Sequence, residues 1–240
     1  YLMADADTAE LAEAAVSAGA GLLEIGIPYS DPLADGPTVQ RAGQRSLAAG
    51  MTTRGALEVM RAVRARVDVP LVPMTYAAPV MAYGERAFCA DAAAAGANGL
   101  IVPDVPADEA AELEAGCRAS GLDLVPLLAP TSTDDRIALA CAHAGGFVYL
   151  VSVAGITGAR AQLSDRVAGL AARVRAHTDL PLLVGFGISA PEHAVAALAA
   201  GADGVIIGSK AIEVAEAGGP EALAGFVASI VAAVATPTAS

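Results

Sequence analysis

The stretch LEIGIPYSDPLADGP, residues 23–37, organises the chain because it places three carboxylates in and directly after a short apolar strand. A carboxylate inside such a strand carries a large desolvation cost unless the protein uses it, so Glu24 is the first candidate for chemistry. The prolines that follow disfavour helix until Thr38 can cap one. The sequence therefore predicts a stiff loop that carries Asp31 and Asp35.

The composition indicates one domain with a sizeable core. The chain has 240 residues, 55% of them hydrophobic, a size and composition that suit a single α/β barrel. A net charge of -12 and a pI near 4.5 argue against nucleic acid or an anionic membrane as a partner. An anionic small molecule is not excluded by that charge.

The cysteines and the apolar runs indicate a cytoplasmic protein. Cys89, Cys117 and Cys141 are odd in number, far apart in sequence and all in predicted helices, which favours neither a disulfide framework nor a zinc site. The longest apolar run, around Ile230, is shorter than the roughly 20 residues of a membrane span. The acidic start does not resemble a signal peptide.

An αβ turn occurs three times along the chain. Residues 18–22, 95–100 and 200–205 each place a glycine at the end of an alanine-rich helical pattern, followed by an apolar run. Glycine ends a helix by adopting the left-handed conformation, and continuous apolar runs are typical of parallel strands covered on both faces. The repeat therefore predicts units in which a helix leads into a parallel strand.

The same rule predicts eight strands that alternate with helices. The strands are expected at residues 1–4, 22–26, 71–75, 99–102, 124–128, 147–152, 182–185 and 205–207. The helices are expected at 8–18, 39–49 with 53–66, 85–95, 108–120, 134–144, 165–177, 191–200 and 220–235. This order predicts a single (β/α)8 barrel over residues 1–240. An open doubly wound sheet is the alternative, although no GxGxxG motif follows the first strand.

Catalytic groups in such a barrel come from the carboxyl ends of the strands and the loops after them. Lys210 is the only lysine and lies just beyond the last strand, a poor position for an inward-pointing Schiff-base amine. His143, His177 and His193 fall in predicted helices away from the strand ends, so a histidine-ligated metal is not expected. Acid–base chemistry by carboxylates and tyrosine remains.

Glycine-rich loops follow the last three strands. They are SVAGITG after strand six, GFGIS after strand seven and Gly208-Ser209 after strand eight. Glycines let backbone N–H groups approach a ligand, and a helix starting at Ser209 would direct its positive end at an anion. Each glycine alone is more simply a turn, but together the three loops predict a phosphate site.

These motifs resemble the α subunit of tryptophan synthase over nearly the whole chain. The resemblance rests on EIGIPYSDPLADGP, MTYAAPVMAYG, LIVPDVP, the Ala-Pro-Thr-Ser-Thr loop after strand five, YLVSVAGITG, GFGIS and GS. It implies a barrel preceded by a helix that this sequence lacks. It also implies a lyase that cleaves indole-3-glycerol phosphate to indole and glyceraldehyde 3-phosphate without a cofactor. Indole would pass to a β subunit that carries pyridoxal phosphate, in an α2β2 heterotetramer.

The resemblance implies a role for each matching position. Glu24 corresponds to the general acid–base residue, Asp35 to the carboxylate at the indole N–H, and Tyr149 to a tyrosine near the glycerol portion. The implied phosphate contacts are Gly158, Gly187, Gly208 and Ser209. Thr157 belongs to a loop that closes over substrate and holds the catalytic aspartate, and Pro28, Asp31 and Pro32 face the β subunit.

Other interpretations stay open at each position. Glu24 as a buried ion-pair partner, Asp35 as a loop cap and Tyr149 as core are the structural alternatives, and Asp104 fits either kind of role. The sequence also departs from the family at residues 5–7, Asp-Ala-Asp, and at Lys210, where alanine is usual. A stand-alone lyase and an inactive barrel that only activates a β subunit are alternative functions. Another sugar-phosphate barrel would share the glycines but not SDPLADGP.

Overall fold

Short parallel strands alternate with helices along the whole chain in the computed structural model, which describes residues 1–151, 160–185 and 187–235 without the side chains of 160–166. The strands are β1 Leu2–Met3, β2 Leu23–Gly26, β3 Leu71–Met74, β4 Gly99–Leu100, β5 Asp123–Leu124, β6 Leu127–Leu128, β7 Val148–Val151, β8 Leu182–Gly185 and β9 Gly204–Val205. The helices are α1 Thr8–Ser17, α2 Pro37–Ala48, α3 Thr53–Arg64, α4 Ala77–Tyr83, α5 Glu85–Ala94, α6 Ala111–Ser120, α7 Asp134–His143, α8 Arg160–Arg175, α9 Pro191–Ala199 and α10 Ser209–Ala235.

Parallel pairing joins the strands into a ring. The hydrogen-bonded groups are β1-β2-β3, β4-β5 and β6-β7-β8-β9, and a bridge between Met74 and Ile101 connects β3 to β4. The Tyr1 nitrogen donates to the Ile207 carbonyl at 2.9 Å, which brings the end of β9 to the start of β1. With β5 and β6 counted as one position, the fold is the predicted (β/α)8 barrel.

Proline explains the split of the predicted fifth strand. Pro126 has no N–H to donate to the ladder, so the segment from 124 to 128 divides into β5 and β6. Its neighbours still keep the segment in the wall, because Val125 N–H donates to the Leu100 carbonyl at 3.0 Å and Tyr149 N–H donates to the Pro126 carbonyl at 3.0 Å. The predicted strand therefore lies where it was expected, but it is split into two strands and is not continuous.

The predicted helices differ from the structure at α4, α6 and α8. Helix α4 was not predicted, and its Pro79 lies in the first turn, where proline is tolerated because its missing N–H has no intrahelical partner. Helix α6 begins at Ala111 instead of residue 108, after a turn-rich segment, and α8 begins at Arg160 instead of residue 165. The other predicted helices begin and end within two residues of the observed bounds, except α10.

The glycines of the repeated αβ turn have the predicted left-handed backbone. Their φ angles are 106° at Gly19, 94° at Gly96 and 96° at Gly201. Each N–H donates back to a carbonyl in the last turn of its helix, at 2.9 to 3.0 Å. These turns lie at the amino ends of β2, β4 and β9, so the opposite ends of the strands are left to form the site.

Helix α10 combines the short helix predicted at Ser209 with the one predicted at 220–235. Gly219 interrupts its helical backbone with φ 66° and ψ -158°, and Pro220 follows. Among the described residues, α10 is the one helix long and apolar enough to cross a membrane by length and composition alone. The break at Gly219 leaves neither half with the roughly 20 residues that a span needs.

Candidate active site

A cavity of about 280 Å³ opens at the carboxyl ends of the strands. Glu24 from β2 and Tyr149 from β7 line its inner part, and the loops after β8 and β9 line its outer part with Gly187, Gly208 and Ser209. A larger cavity of about 360 Å³ lies between α6, α7 and the strands β4–β6, but it does not include Glu24. We assign the site to the smaller cavity, since the predicted chemical groups converge there.

Glu24 is a buried carboxyl group that lacks a complete set of partners. Only 2% of its surface is exposed, and its Oε2 has no hydrogen-bond partner among the described residues. Burial raises the pKa of Glu24 to about 7, the Tyr1 amino group opposes that rise, and Asp35 adds to it. A carboxyl that titrates near neutral pH can donate a proton and then accept one.

Asp35 lies in the loop between β2 and α2, next to Gly36 of the cavity wall. Burial raises the pKa of Asp35 to about 6, and a hydrogen bond from the Tyr76 hydroxyl lowers it in part. The same hydroxyl accepts a hydrogen bond from the Ala34 N–H at 3.0 Å. Tyr76 therefore fixes the loop at two adjacent residues, and Asp35 stays mainly ionised at neutral pH.

Two tyrosine hydroxyls fit inside the barrel because the neighbouring strands carry glycine beside them. A Cβ atom at Gly185 would lie 2.1 Å from the Tyr149 hydroxyl, and one at Gly26 would lie 2.0 Å from the Tyr1 hydroxyl. Burial and the nearby carboxylates Glu24 and Asp35 raise the pKa of Tyr149 well above its usual value. Tyr149 is thus a neutral phenol facing both carboxylates.

The outer end of the cavity is built from backbone and one cation. Gly187 has φ 86°, a conformation that favours glycine, and α10 begins at Ser209 with its N–H groups directed toward the cavity end of the helix. Lys210 also lines this end and lies 3.6 Å from Glu213. Gly158 and Thr157, predicted to contact phosphate and to close over substrate, lie outside the described residues.

The predicted partner residues are not among those that line the cavity. Asp31 is exposed, Pro32 is half-buried, and Pro28 is buried at the edge of a surface groove. Asp104 accepts a hydrogen bond from the Ala77 N–H at 2.9 Å, so its observed contact is to the start of α4. No group of three or more His, Cys, Asp or Glu side chains that could hold a metal occurs in the described part of the chain.

Sequence reasoning missed Tyr76 as a site residue. Its hydroxyl reaches back to a loop 42 residues earlier, and nothing local to MTY predicts that contact. The available signal was its position two residues after the end of β3, where barrel enzymes place functional side chains.

A (β/α)8 barrel with two carboxyls of raised pKa beside a glycine-lined end of the cavity has the features of a barrel enzyme that uses acid–base chemistry. The sequence profile described as tryptophan synthase alpha chain matches residues 3–230. The tryptophan synthase alpha chain of Methanosarcina acetivorans is 49% identical over 222 residues, which cover 91% of this chain and 80% of that one.

Solved structures agree with the sequence comparison. Tryptophan synthase subunit alpha from Legionella pneumophila superposes with a TM-score of 0.88 at 33% identity, covering 98% of this chain and 90% of that one. A chain of Mycobacterium tuberculosis tryptophan synthase superposes with a TM-score of 0.88 at 37% identity, covering 98% of this chain and 92% of that one. The chain belongs to the tryptophan synthase alpha chain family, and its function is that of the alpha subunit, a lyase of tryptophan biosynthesis.

Proposed function

We propose that Glu24 and Asp35 carry out the cleavage of indole-3-glycerol phosphate in this cavity. The observation that carries the proposal is the buried Glu24 carboxyl, whose Oε2 is unpartnered among the described residues, in one cavity with the glycine-lined anion end. A substrate with its phosphate at Gly187, Gly208 and Ser209 extends its indole ring toward the two carboxylates. Gly158 is a further proposed phosphate contact.

Glu24 serves as acid and then as base. Protonated Glu24 donates to C3 of the indole ring, which leaves a positive charge on the ring nitrogen. The resulting Glu24 carboxylate then takes the proton of the substrate hydroxyl next to the ring. The bond between C3 and the side chain breaks, the electron pair of that bond neutralises the ring, and the side chain leaves as the aldehyde. A pKa of about 7 suits both steps, because neither protonation state is then costly to reach.

Asp35 stabilises the charge that develops on the ring nitrogen. Its pKa of about 6 keeps the carboxylate ionised at neutral pH, when it can accept the indole N–H. Tyr149 borders the glycerol portion as a neutral hydrogen-bonding group, and Thr157 holds Asp35 when the loop closes. These two carboxyls, one enclosed in a strand and one in a partly buried loop, supply the two roles that the reaction requires.

We also propose a partner subunit and a cellular compartment for the chain. The chain acts as the α subunit of an α2β2 tryptophan synthase, requires no cofactor of its own, and delivers indole to a β subunit that holds pyridoxal phosphate. Pro28, Asp31 and Pro32 form part of the surface that the β subunit contacts. We expect the complex to work in the cytoplasm.

An assay of indole release from indole-3-glycerol phosphate, with and without a β subunit, tests this function. We expect slow release by the chain alone and faster release with the partner. High activity that does not respond to any β subunit would favour a stand-alone lyase. Absence of release in both conditions, from protein with a normal circular dichroism spectrum, would contradict the lyase role.

A further inference from the structure

Lys210 is the only lysine of the chain and lies at the outer end of the active-site cavity. It is the second residue of α10, and its side chain is 39% exposed. A cation in the first turn of a helix faces the positive end of the helix dipole, which disfavours it. This position is therefore unfavourable for Lys210 unless an anion is present.

The ion pair between Lys210 and Glu213 is weak. The Nζ to Oε2 distance is 3.6 Å, beyond hydrogen-bond range, and Lys before Glu on a helix is the less favourable order. Glu213 also has a second contact, because the Thr38 hydroxyl donates to its Oε1 at 3.2 Å. Glu213 can thus remain held by Thr38 after Lys210 leaves it.

The charged side chains that line the cavity lie at its two ends, with Glu24 at the inner end and Lys210 beside Glu213 at the outer end. The unpartnered Oε2 of Glu24 points to a ligand at the inner end, where Asp35 adds negative charge nearby, whereas Lys210 is the one side-chain cation among the described lining residues. A molecule that carries a phosphate dianion at one end and a neutral ring at the other matches this polarity. An overall charge of -12 makes a local cation more important for attracting such a molecule.

We propose that Lys210 exchanges Glu213 for the phosphate dianion of the substrate, so that this pair sets the affinity for phosphorylated ligands. The inference rests on the proposed function and adds to the backbone phosphate contacts a side-chain cation. The Lys210 ammonium provides to the phosphate a charge-assisted hydrogen bond that it does not make to Glu213 at 3.6 Å. Affinity then depends on the phosphate being fully ionised, since a dianion competes with the Glu213 carboxylate better than a monoanion does.

Calorimetric titration with glycerol phosphate and with inorganic phosphate tests the exchange without turnover. We expect Lys210→Met to weaken glycerol phosphate binding about tenfold, the size expected for one hydrogen bond to a charged group. Lys210→Arg should retain most of the affinity, and Glu213→Gln should tighten binding about threefold because Lys210 is then released. Arg45→Met is the matched control, since Arg45 pairs with Glu216 on α10, outside the lining of the cavity, and should leave the affinity unchanged.

Steady-state kinetics separate this inference from the proposed function. Lys210→Met should raise KM for indole-3-glycerol phosphate about tenfold and leave kcat nearly unchanged, as expected for uniform binding. If the wild type does not cleave that substrate but Lys210→Met still weakens phosphate binding, the lyase proposal fails and the Lys210 site stands. If the wild type is active and neither Lys210→Met nor Glu213→Gln changes phosphate affinity, the exchange is wrong.

Discussion

At the residue scale, the site depends on two carboxyl groups whose surroundings differ. Glu24 is enclosed by strand β2 and its neighbours, while Asp35 lies in a partly buried loop and accepts a hydrogen bond from Tyr76. A charge within an apolar run is visible in the sequence, so Glu24 and the rise in its pKa could be predicted. The contact of Tyr76 with Asp35 joins two segments that are distant in sequence and depends on tertiary structure, so it could not be predicted from the sequence.

Glu24→Gln and Asp35→Asn should each reduce indole formation about 100-fold or more, since a positioned acid or base typically contributes that much. Both substitutions keep the shape and remove the titrating group, so the fold should survive. Glu58→Gln, in an exposed ion pair on α3, is the control for loss of one negative charge. Turnover like that of the wild type in either variant, with an intact circular dichroism spectrum, would remove that residue from the mechanism.

Glu24 should also make stability depend on pH in a defined window. Its pKa is about 7 in the folded protein and near 4.5 when exposed, so the unfolded state loses its proton first as pH rises. Below about pH 4, ionisation of Glu24 contributes nothing to the free energy of unfolding. From about pH 4.5 to 7 it lowers that free energy progressively, and above pH 7 the loss stays constant at on the order of 3 kcal/mol. Urea unfolding across that range should show Glu24→Gln gaining stability relative to the wild type as pH rises. A constant difference between the two proteins at every pH would contradict the assigned pKa.

At the element scale, the two halves of the barrel repeat one arrangement at the amino ends of the strands. Arg64 from α3 donates to Asn98 Oδ1 at 3.0 Å, and Arg175 from α8 pairs with Asp203 Oδ2 at 2.6 Å. Each acceptor follows an αβ-turn glycine by two residues and also receives the N–H of the first residue of a strand, Leu71 or Leu182. The sequence repeat predicts the turns, but the arginines lie about 30 residues away and the sequence does not link them to the turns.

Arg64→Met should therefore lower the free energy of unfolding by about 2 kcal/mol. Arg64 donates to the carbonyls of Val67, Val69 and Gly96 as well as to Asn98, and its loss leaves several partly buried acceptors unpaired. Arg66→Met, two residues further on, removes only an exposed pair with Glu13 and should cost less than about 1 kcal/mol. Urea unfolding of both variants measures the difference, and equal losses would show that the shared arrangement is not what stabilises the turn.

At the scale of the whole molecule, the loop after β2 carries both Asp35 and the residues proposed to contact a partner. The alternation of strands and helices predicts the barrel, and the barrel brings strand ends that are far apart in sequence to one cavity. Sequence alone does not show which loop residues face solvent. In the structure Leu33, in the loop after β2, is 91% exposed and Met81, in helix α4 after β3, is 66% exposed, and both are large apolar side chains.

Binding of a β subunit to these loops should activate the cleavage reaction. The loop after β2 connects to the site through Tyr76, whose ring lies 5.4 Å from that of Tyr29 and whose hydroxyl contacts both Ala34 and Asp35. A partner that distinguishes two arrangements of this loop changes the position of Asp35. Coupling between sites is typically 1 to 3 kcal/mol, so we expect kcat/KM for indole-3-glycerol phosphate to rise at least about fivefold with the partner.

Substitutions on the exposed surface can separate this activation from basal catalysis. Leu33→Ser, and changes at Asp31 or Pro32, should weaken β-subunit binding and reduce the activation while leaving the rate of the isolated chain unchanged, because Leu33 and Asp31 are exposed and Pro32 is half-buried. Leu139→Ser is the matched control, since Leu139 is an exposed leucine on α7, borders the larger cavity and should leave binding unaffected. Isothermal titration that detects no binding to several β subunits, together with kinetics that do not respond to them, would favour an enzyme that works alone. Loss of basal activity in Leu33→Ser would instead mean that the loop is held in place by that side chain and not by a partner.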